Sequence, residues 1–218
     1  MPREFQAGAE EWDERFEWVG PCIGPRADAG DFPLERLTAQ PALYVSLGTV
    51  AQGDQAFYTA CFEAFGAAEA AERTVVLATG ASAAPTGDLP ENFLVRPSVP
   101  QLDVLERVEA FVTHGGMNSA MEALWHGVPM VVVPQQPEQA MTAARVAELG
   151  LGLALGPGAL SAAALRDAVA EVTGDPAYRA RASAMQAVVR AAGGYERAAS
   201  AILDFSEERL GQPGIRRS

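Results

Sequence analysis

One stretch of the chain concentrates residues able to do chemistry: Thr113-His114-Gly115-Gly116-Met117-Asn118-Ser119, followed by Glu122. An apolar run, Ala110–Thr113, enters a double glycine and leaves into a helical pattern over 118–126. Two glycines let a bulky ligand approach the backbone. The N-terminus of the following helix offers amide N–H groups and a partial positive charge, which suits phosphate. Asn118 and Ser119 stand where helix caps stand, and their side chains can serve the helix or an anion. Glu122 lies four residues after Asn118, on the same helix face and one turn deeper. A carboxylate there repels phosphate but can accept hydrogen bonds from a ribose diol. The order reads as phosphate first and sugar hydroxyls one turn further. Residue by residue, blander roles stand beside this one: a packed loop histidine at 114, a helix cap at 118, a solvated carboxylate at 122.

These residues need a scaffold that brings strand ends together. Short apolar runs at 42–47, 74–79, 93–95, 110–113, 129–133 and 153–155 read as buried strands. Helical patterns follow at 54–71, 102–106, 118–126, 138–149, 161–173, 176–192 and 195–205. Strands alternating with helices, and glycine-rich turns after strands, indicate an α/β fold with a parallel sheet covered on both faces. Ligands of such sheets sit beyond the carboxyl ends of the strands. That directs attention to Gly48-Thr49, to Ser98-Val99-Pro100-Gln101, to 114–119 and to 134–139. In the last of these, Glu138 and Gln139 open a helix, and a carboxylate beside an amide can bracket a hexose through its hydroxyls. The expected organisation is an N-terminal segment and linker over 1–41, a Rossmann-like ligand-binding domain over 42–205 and a flexible tail over 206–218. In the first part, three aromatics within seven residues (Trp12, Phe16, Trp18) need something to pack against, 16–21 is extended and 24–31 is the linker.

Composition removes whole classes of function. The 218 residues carry 16 basic and 28 acidic side chains, a net charge of −12. Such a chain repels nucleic acid and anionic membranes unless a local basic patch exists, and none is dense enough. All 16 basic residues are arginine, which excludes a Walker A lysine and a Schiff-base or pyridoxal lysine. Cys22 and Cys61 cannot make a disulfide framework or a four-cysteine zinc site. With no hydrophobic leader or span at hand, the expected location is cytoplasmic.

The run Val99-Pro100-Gln101, the segment Thr113–Ser119 with Glu122, Gly127-Val128-Pro129-Met130, then Pro134 and Glu138-Gln139 resembles the donor-binding signature of the UDP-glycosyltransferase superfamily. Val45-Ser46-Leu47-Gly48-Thr49 adds to it, and the style is similar to the bacterial macrolide-type branch, which glycosylates antibiotics and other small natural products. The resemblance covers about residues 3–205. It implies the C-terminal half of a two-domain GT-B fold, Rossmann-like, whose N-terminal half binds the acceptor. By similarity, His114 contacts the diphosphate with Asn118, Ser119 and the backbone of Gly116 and Met117. Thr49 reaches the distal phosphate, Val99 and Gln101 face the base and ribose, Glu122 takes the ribose hydroxyls, and Glu138 and Gln139 hold the transferred sugar. The chain departs from many members at Ser98, where they carry a stacking Trp, and at Glu138, where they carry Asp.

The implied reaction is inverting sugar transfer from a UDP- or dTDP-sugar to a hydroxyl of a macrolide-like acceptor. No cofactor and no metal is expected, since no Asp-x-Asp motif is present. The family's catalytic histidine belongs to the N-terminal half, and His126, late in a helix, is not assigned as that base, so no catalytic residue is assigned in this chain. The implied partners are a nucleotide sugar and the missing acceptor half, as a domain of the same protein or as a partner chain. The alternatives are a natural stand-alone donor subunit of a two-chain enzyme and a non-catalytic nucleotide-sugar-binding module.

Overall fold

The computed structural model describes residues 1–24, 31–48, 55–66, 73–80, 89–156 and 158–210. Among the described residues six strands are present: β1 (Ala42–Ser46), β2 (Thr74–Ala78), β3 (Phe93–Arg96), β4 (Ala110–Thr113), β5 (Met130–Val132) and β6 (Gly152–Ala154). They form one sheet in the order β3-β2-β1-β4-β5-β6, with every neighbouring pair parallel. Seven helices accompany them: α1 (Gln55–Phe65), α2 (Gln101–Leu105), α3 (Met117–Trp125), α4 (Pro137–Glu148), α5 (Ala162–Gly174), α6 (Pro176–Ala191) and α7 (Gly194–Leu210). The chain builds outward from β1 to β3, then returns to place β4 on the other side of β1. The break between β1 and β4 is where a parallel sheet opens a crevice at its carboxyl edge.

The strands are apolar on both sides because both faces are covered, and their period of two divides the core. Ala42, Tyr44, Val76, Phe111, Met130 and Val132 face a layer that includes Val104, Leu105, Met121, Leu124, Val146 and Val189, from α2, α3, α4 and α6. Leu43, Val45, Val75, Leu77, Val112 and Val131 face Phe57, Cys61, Phe65, Leu165 and Val169, from α1 and α5. Ring stacking joins β1 to β4: Tyr44 lies on Phe111 with centroids 4.5 Å apart and planes 7° from parallel.

Several expected boundaries shift. The N-terminal segment is part of the core: Phe5 is 2% exposed and Leu37 3%. Arg145 of α4 holds this segment by donating to Phe5 O at 2.9 Å and to Glu4 O at 2.8 Å. Trp12 finds its packing within the segment, 4.5 Å from Phe16 and 5.4 Å from Trp18. Residues 16–21 are extended without joining the sheet. They run against the start of α7, where Val19 O accepts from Gly194 N–H at 2.6 Å and Glu17 pairs with Arg197. Helix α1 closes at Phe65, earlier than the expected 71. Helix α7 continues through Leu210, so residues 206–210 are helical where a loose tail is expected. Of the linker expected over 24–31, residues 25–30 lie outside the described residues. Among the described residues no helix is long and apolar enough to cross a membrane.

Candidate functional site

At the carboxyl edge of β1 and β4 the sheet opens into a cleft of about 610 Å³. It gathers Val99, Gln101, His114, Gly116, Met117, Asn118, Ser119, Glu122, Glu138 and Gln139. These are ten of the eleven residues singled out from the sequence; Thr49 lies outside the described residues. The strand order brings them together, because β4 and its turn sit beside β1 while α2 and α4 close the sides.

The turn from β4 into α3 is set by glycine. Gly115 has φ +83°, a left-handed conformation that side chains avoid. A Cβ there would also stand 2.6 Å from Val132 Cγ1 and 3.3 Å from Gln139 O, so the turn is seated directly on β5 and α4. Gly116 has ordinary dihedrals, φ −59° and ψ 136°. Its missing side chain matters for a different reason: a Cβ would collide with His114 Nε2 and stand 3.0 Å from Cε1. A Cβ at Gly48 would stand 2.7 Å from His114 Cε1 as well. Two glycines, one from the β1 loop and one from the α3 turn, thus leave room for the Nε2–Cε1 edge of the imidazole.

Helix α3 begins one turn position earlier than its sequence pattern suggests. Gly116 is the N-cap and no side chain caps the helix. Asn118 and Ser119 are therefore inside the first turn, and the cap role expected for them is not the one they hold. The first intrahelical bond runs from Ala120 N–H to Gly116 O at 3.0 Å. The amides of Met117, Asn118 and Ser119 precede it, and the first amides of a helix lack intrahelical acceptors. They stand at the cleft, where the helix end carries partial positive charge.

Burial pushes His114 below the usual histidine range, while the nearby Ser46 carbonyl and the Glu138 carboxylate pull it partly back. The ring is neutral at pH 7. Its Nδ1 is buried and has no partner of good hydrogen-bond geometry among the described residues.

Glu122 is not a solvated helix residue. It is 3% exposed, and its Oε2 accepts from Gln101 Nε2 at 2.6 Å. A buried carboxylate is tolerated only with such partners. Gln101 in turn accepts, through Oε1, from Tyr44 Oη–H at 2.8 Å. Tyr44 is buried, which raises the phenol well above its ordinary value and keeps it a hydrogen donor. Gln139 is likewise buried, at 8% exposure. Its Oε1 accepts from Gln135 N–H at 2.8 Å, which orients the amide with Nε2 away from that backbone. Glu138 beside it is exposed on the cleft rim.

Tyr44 of β1 and Gly80 after β2 also line the cleft and escaped the sequence reading, while Ser46 and Gln136 lie in segments it pointed to without being named as site residues. Tyr44 carried a usable signal. It is the one aromatic in an otherwise aliphatic strand, and a buried tyrosine hydroxyl requires a polar partner. His126, by contrast, lies at the far end of α3 and takes no part in the cleft. Among the described residues no group of three or more His, Cys, Asp or Glu could hold a metal ion.

Comparison with known proteins places this geometry. Residues 63–194 match the model of the erythromycin biosynthesis protein CIII-like C-terminal domain. NDP-glycosyltransferase YjiC of Bacillus licheniformis is 45% identical over 208 residues, 94% of this chain and 52% of its own length. Demethyllactenocin mycarosyltransferase of Streptomyces fradiae is 42% identical over 206 residues, 93% of this chain and 43% of its own. The solved glycosyltransferase of kitacinnamycin superposes with a TM-score of 0.82 at 40% identity, covering 92% of this chain and 52% of that one. The chain spans about half the length of the curated relatives it matches. Its fold is that of the C-terminal half of a GT-B glycosyltransferase, and it belongs to the family of the erythromycin biosynthesis protein CIII-like C-terminal domain.

Proposed function

We propose that this chain is the donor-binding half of an inverting, metal-independent glycosyltransferase that takes a sugar from a UDP- or dTDP-sugar to a hydroxyl of a small natural product. The observation that carries it is the convergence, in one cleft, of the open amide end of α3, a neutral histidine and a buried hydrogen-bonded carboxylate one turn deeper. The diphosphate sits against the amides of 117–119 and His114, the ribose reaches Glu122, the base lies toward Val99, and the sugar lies between Glu138 and Gln139. The names and lengths of the relatives support sugar transfer carried out together with a second, acceptor-binding half.

In the transfer, the acceptor oxygen bonds to the anomeric carbon while the bond from that carbon to the diphosphate oxygen breaks. The acceptor proton goes to a base in the other half. The diphosphate departs with the electron pair, and the α3 amides and His114 stabilise its growing negative charge. This chain alone binds nucleotide without transferring sugar. Calorimetric titration with UDP, in the presence of a chelator, tests the reading. Binding that survives chelation supports it; no binding of UDP or dTDP, or binding only with added divalent ions, overturns it.

A further inference from the structure

We infer that Tyr44, from the middle of β1, is a positioning residue that fixes the Gln101–Glu122 pair for ribose recognition. The inference rests on the donor-site reading above. Tyr44, Gln101 and Glu122 come from β1, α2 and α3, three elements far apart in sequence, and they meet in one line of hydrogen bonds. Tyr44 Oη–H donates to Gln101 Oε1 at 2.8 Å, and Gln101 Nε2 donates to Glu122 Oε2 at 2.6 Å. The direction of the line is set by its carboxylate end. The carboxylate can only accept, so the amide must present Nε2 to it; the amide then presents Oε1 to the tyrosine, which must donate.

A glutamine amide turns over readily, and the reversed amide would set its oxygen against the Glu122 carboxylate. The Glu122 carboxylate opposes that reversal, and the Tyr44 hydroxyl, by donating to Oε1, anchors the amide in the orientation the carboxylate selects. Tyr44 is itself immobile, since its ring is stacked on Phe111 at 4.5 Å and is 1% exposed. Tyr44 therefore acts on the nucleotide through Gln101, at the ribose end of the cleft, while the phosphate end is built from α3 and His114. The hydroxyl also meets the Ser46 side chain on its own strand, so loss of the hydroxyl falls first on the ribose end, and the phosphate end reports any effect passed through Ser46.

The experiment is Tyr44→Phe in the full chain, titrated with UDP and, in parallel, with inorganic pyrophosphate, which fills only the phosphate end. The phenyl ring keeps the stack, and a thermal melt checks that it does. The expected result is UDP binding weakened about tenfold, the loss of one hydrogen bond's worth of order, with pyrophosphate binding changed less than about twofold. In a Gln101→Ala background the same Tyr44→Phe change has no further effect on UDP. Equal weakening of both ligands, or an undiminished loss in the Gln101→Ala background, overturns the positioning role while leaving the donor site intact. A wild-type chain that binds neither ligand overturns the donor site and this inference with it.

Discussion

Gly116→Ala separates the site's function from its stability more cleanly than any change to a polar residue. The backbone at 116, φ −59° and ψ 136°, is open to any L residue. Alanine also reduces the freedom of the unfolded chain, a gain of about 0.4–1 kcal/mol. Against this stands the collision of the new methyl with His114 Nε2, in a ring that Gly48 also approaches closely. Overpacking of this kind costs about 1–3 kcal/mol. The net destabilisation is then at most about 2.5 kcal/mol, a shift of several degrees in Tm for a chain of this size. The nucleotide loses a comparable amount, read by a separate measurement. A displaced His114 forfeits a hydrogen bond to charged phosphate, about 1.5–3 kcal/mol, or roughly ten- to 150-fold in Kd. Scanning calorimetry and UDP titration on the same sample read both quantities. In a His114→Ala background the methyl has nothing to strike, so Gly116→Ala becomes neutral or slightly stabilising. Wild-type UDP affinity in Gly116→Ala refutes the placement of the imidazole beside the phosphates.

Glu122→Gln, which keeps the volume of this buried side chain, weakens UDP by about 1.5–3 kcal/mol and leaves pyrophosphate binding near wild type; unchanged UDP titrations remove Glu122 from ribose recognition. Phe5→Ala costs about 3–5 kcal/mol, because Phe5 is buried at 2% exposure under α4, and a Tm within two degrees of wild type shows that the N-terminal segment is not part of the core. Both histidines are held below their usual range, His114 by burial above all and His126 by burial and then by Arg190. Their stabilising contribution is therefore complete above about pH 6.5 and declines as pH falls through the depressed folded-state values; urea midpoints that rise between pH 7 and 5.5 contradict it.

The sheet was legible because each strand is a short apolar run bounded by turn residues, and the cleft because its loops all follow such runs. What the linear pattern hid lies in contacts between distant segments. Glu122 reads as a ribose-facing carboxylate with a solvated one as the alternative, and its burial shows only once Gln101, 21 residues away, is found donating to it. Tyr44 reads as core until β4 is placed beside β1, which turns that part of the strand toward the cleft. Asn118 and Ser119 have the composition of caps, yet the cap is Gly116. A side-chain oxygen at the cap would accept from the same first-turn amides that a ligand needs. The last turns of α7 read as a tail because Ser206-Glu207-Glu208 is polar, and a helix exposed along this stretch needs no apolar period.

On the donor-site proposal, the charge of the site answers how a chain at −12 would accommodate a dianion. The described residues lining the cleft include two carboxylates, Glu122 and Glu138, and no arginine. Attraction therefore comes from neutral donors at short range: the first amides of α3, the imidazole of His114 and the amides of Gln101 and Gln139. The same neutrality protects the site in the absence of ligand. A cationic group beside Glu138 would form an ion pair that the diphosphate must break, whereas a histidine kept neutral by burial leaves its capacity for charge unused. An approaching diphosphate supplies the negative field that raises its proton affinity. Proton uptake at His114 on binding follows, so nucleotide affinity increases as pH falls toward the range where the free ring titrates.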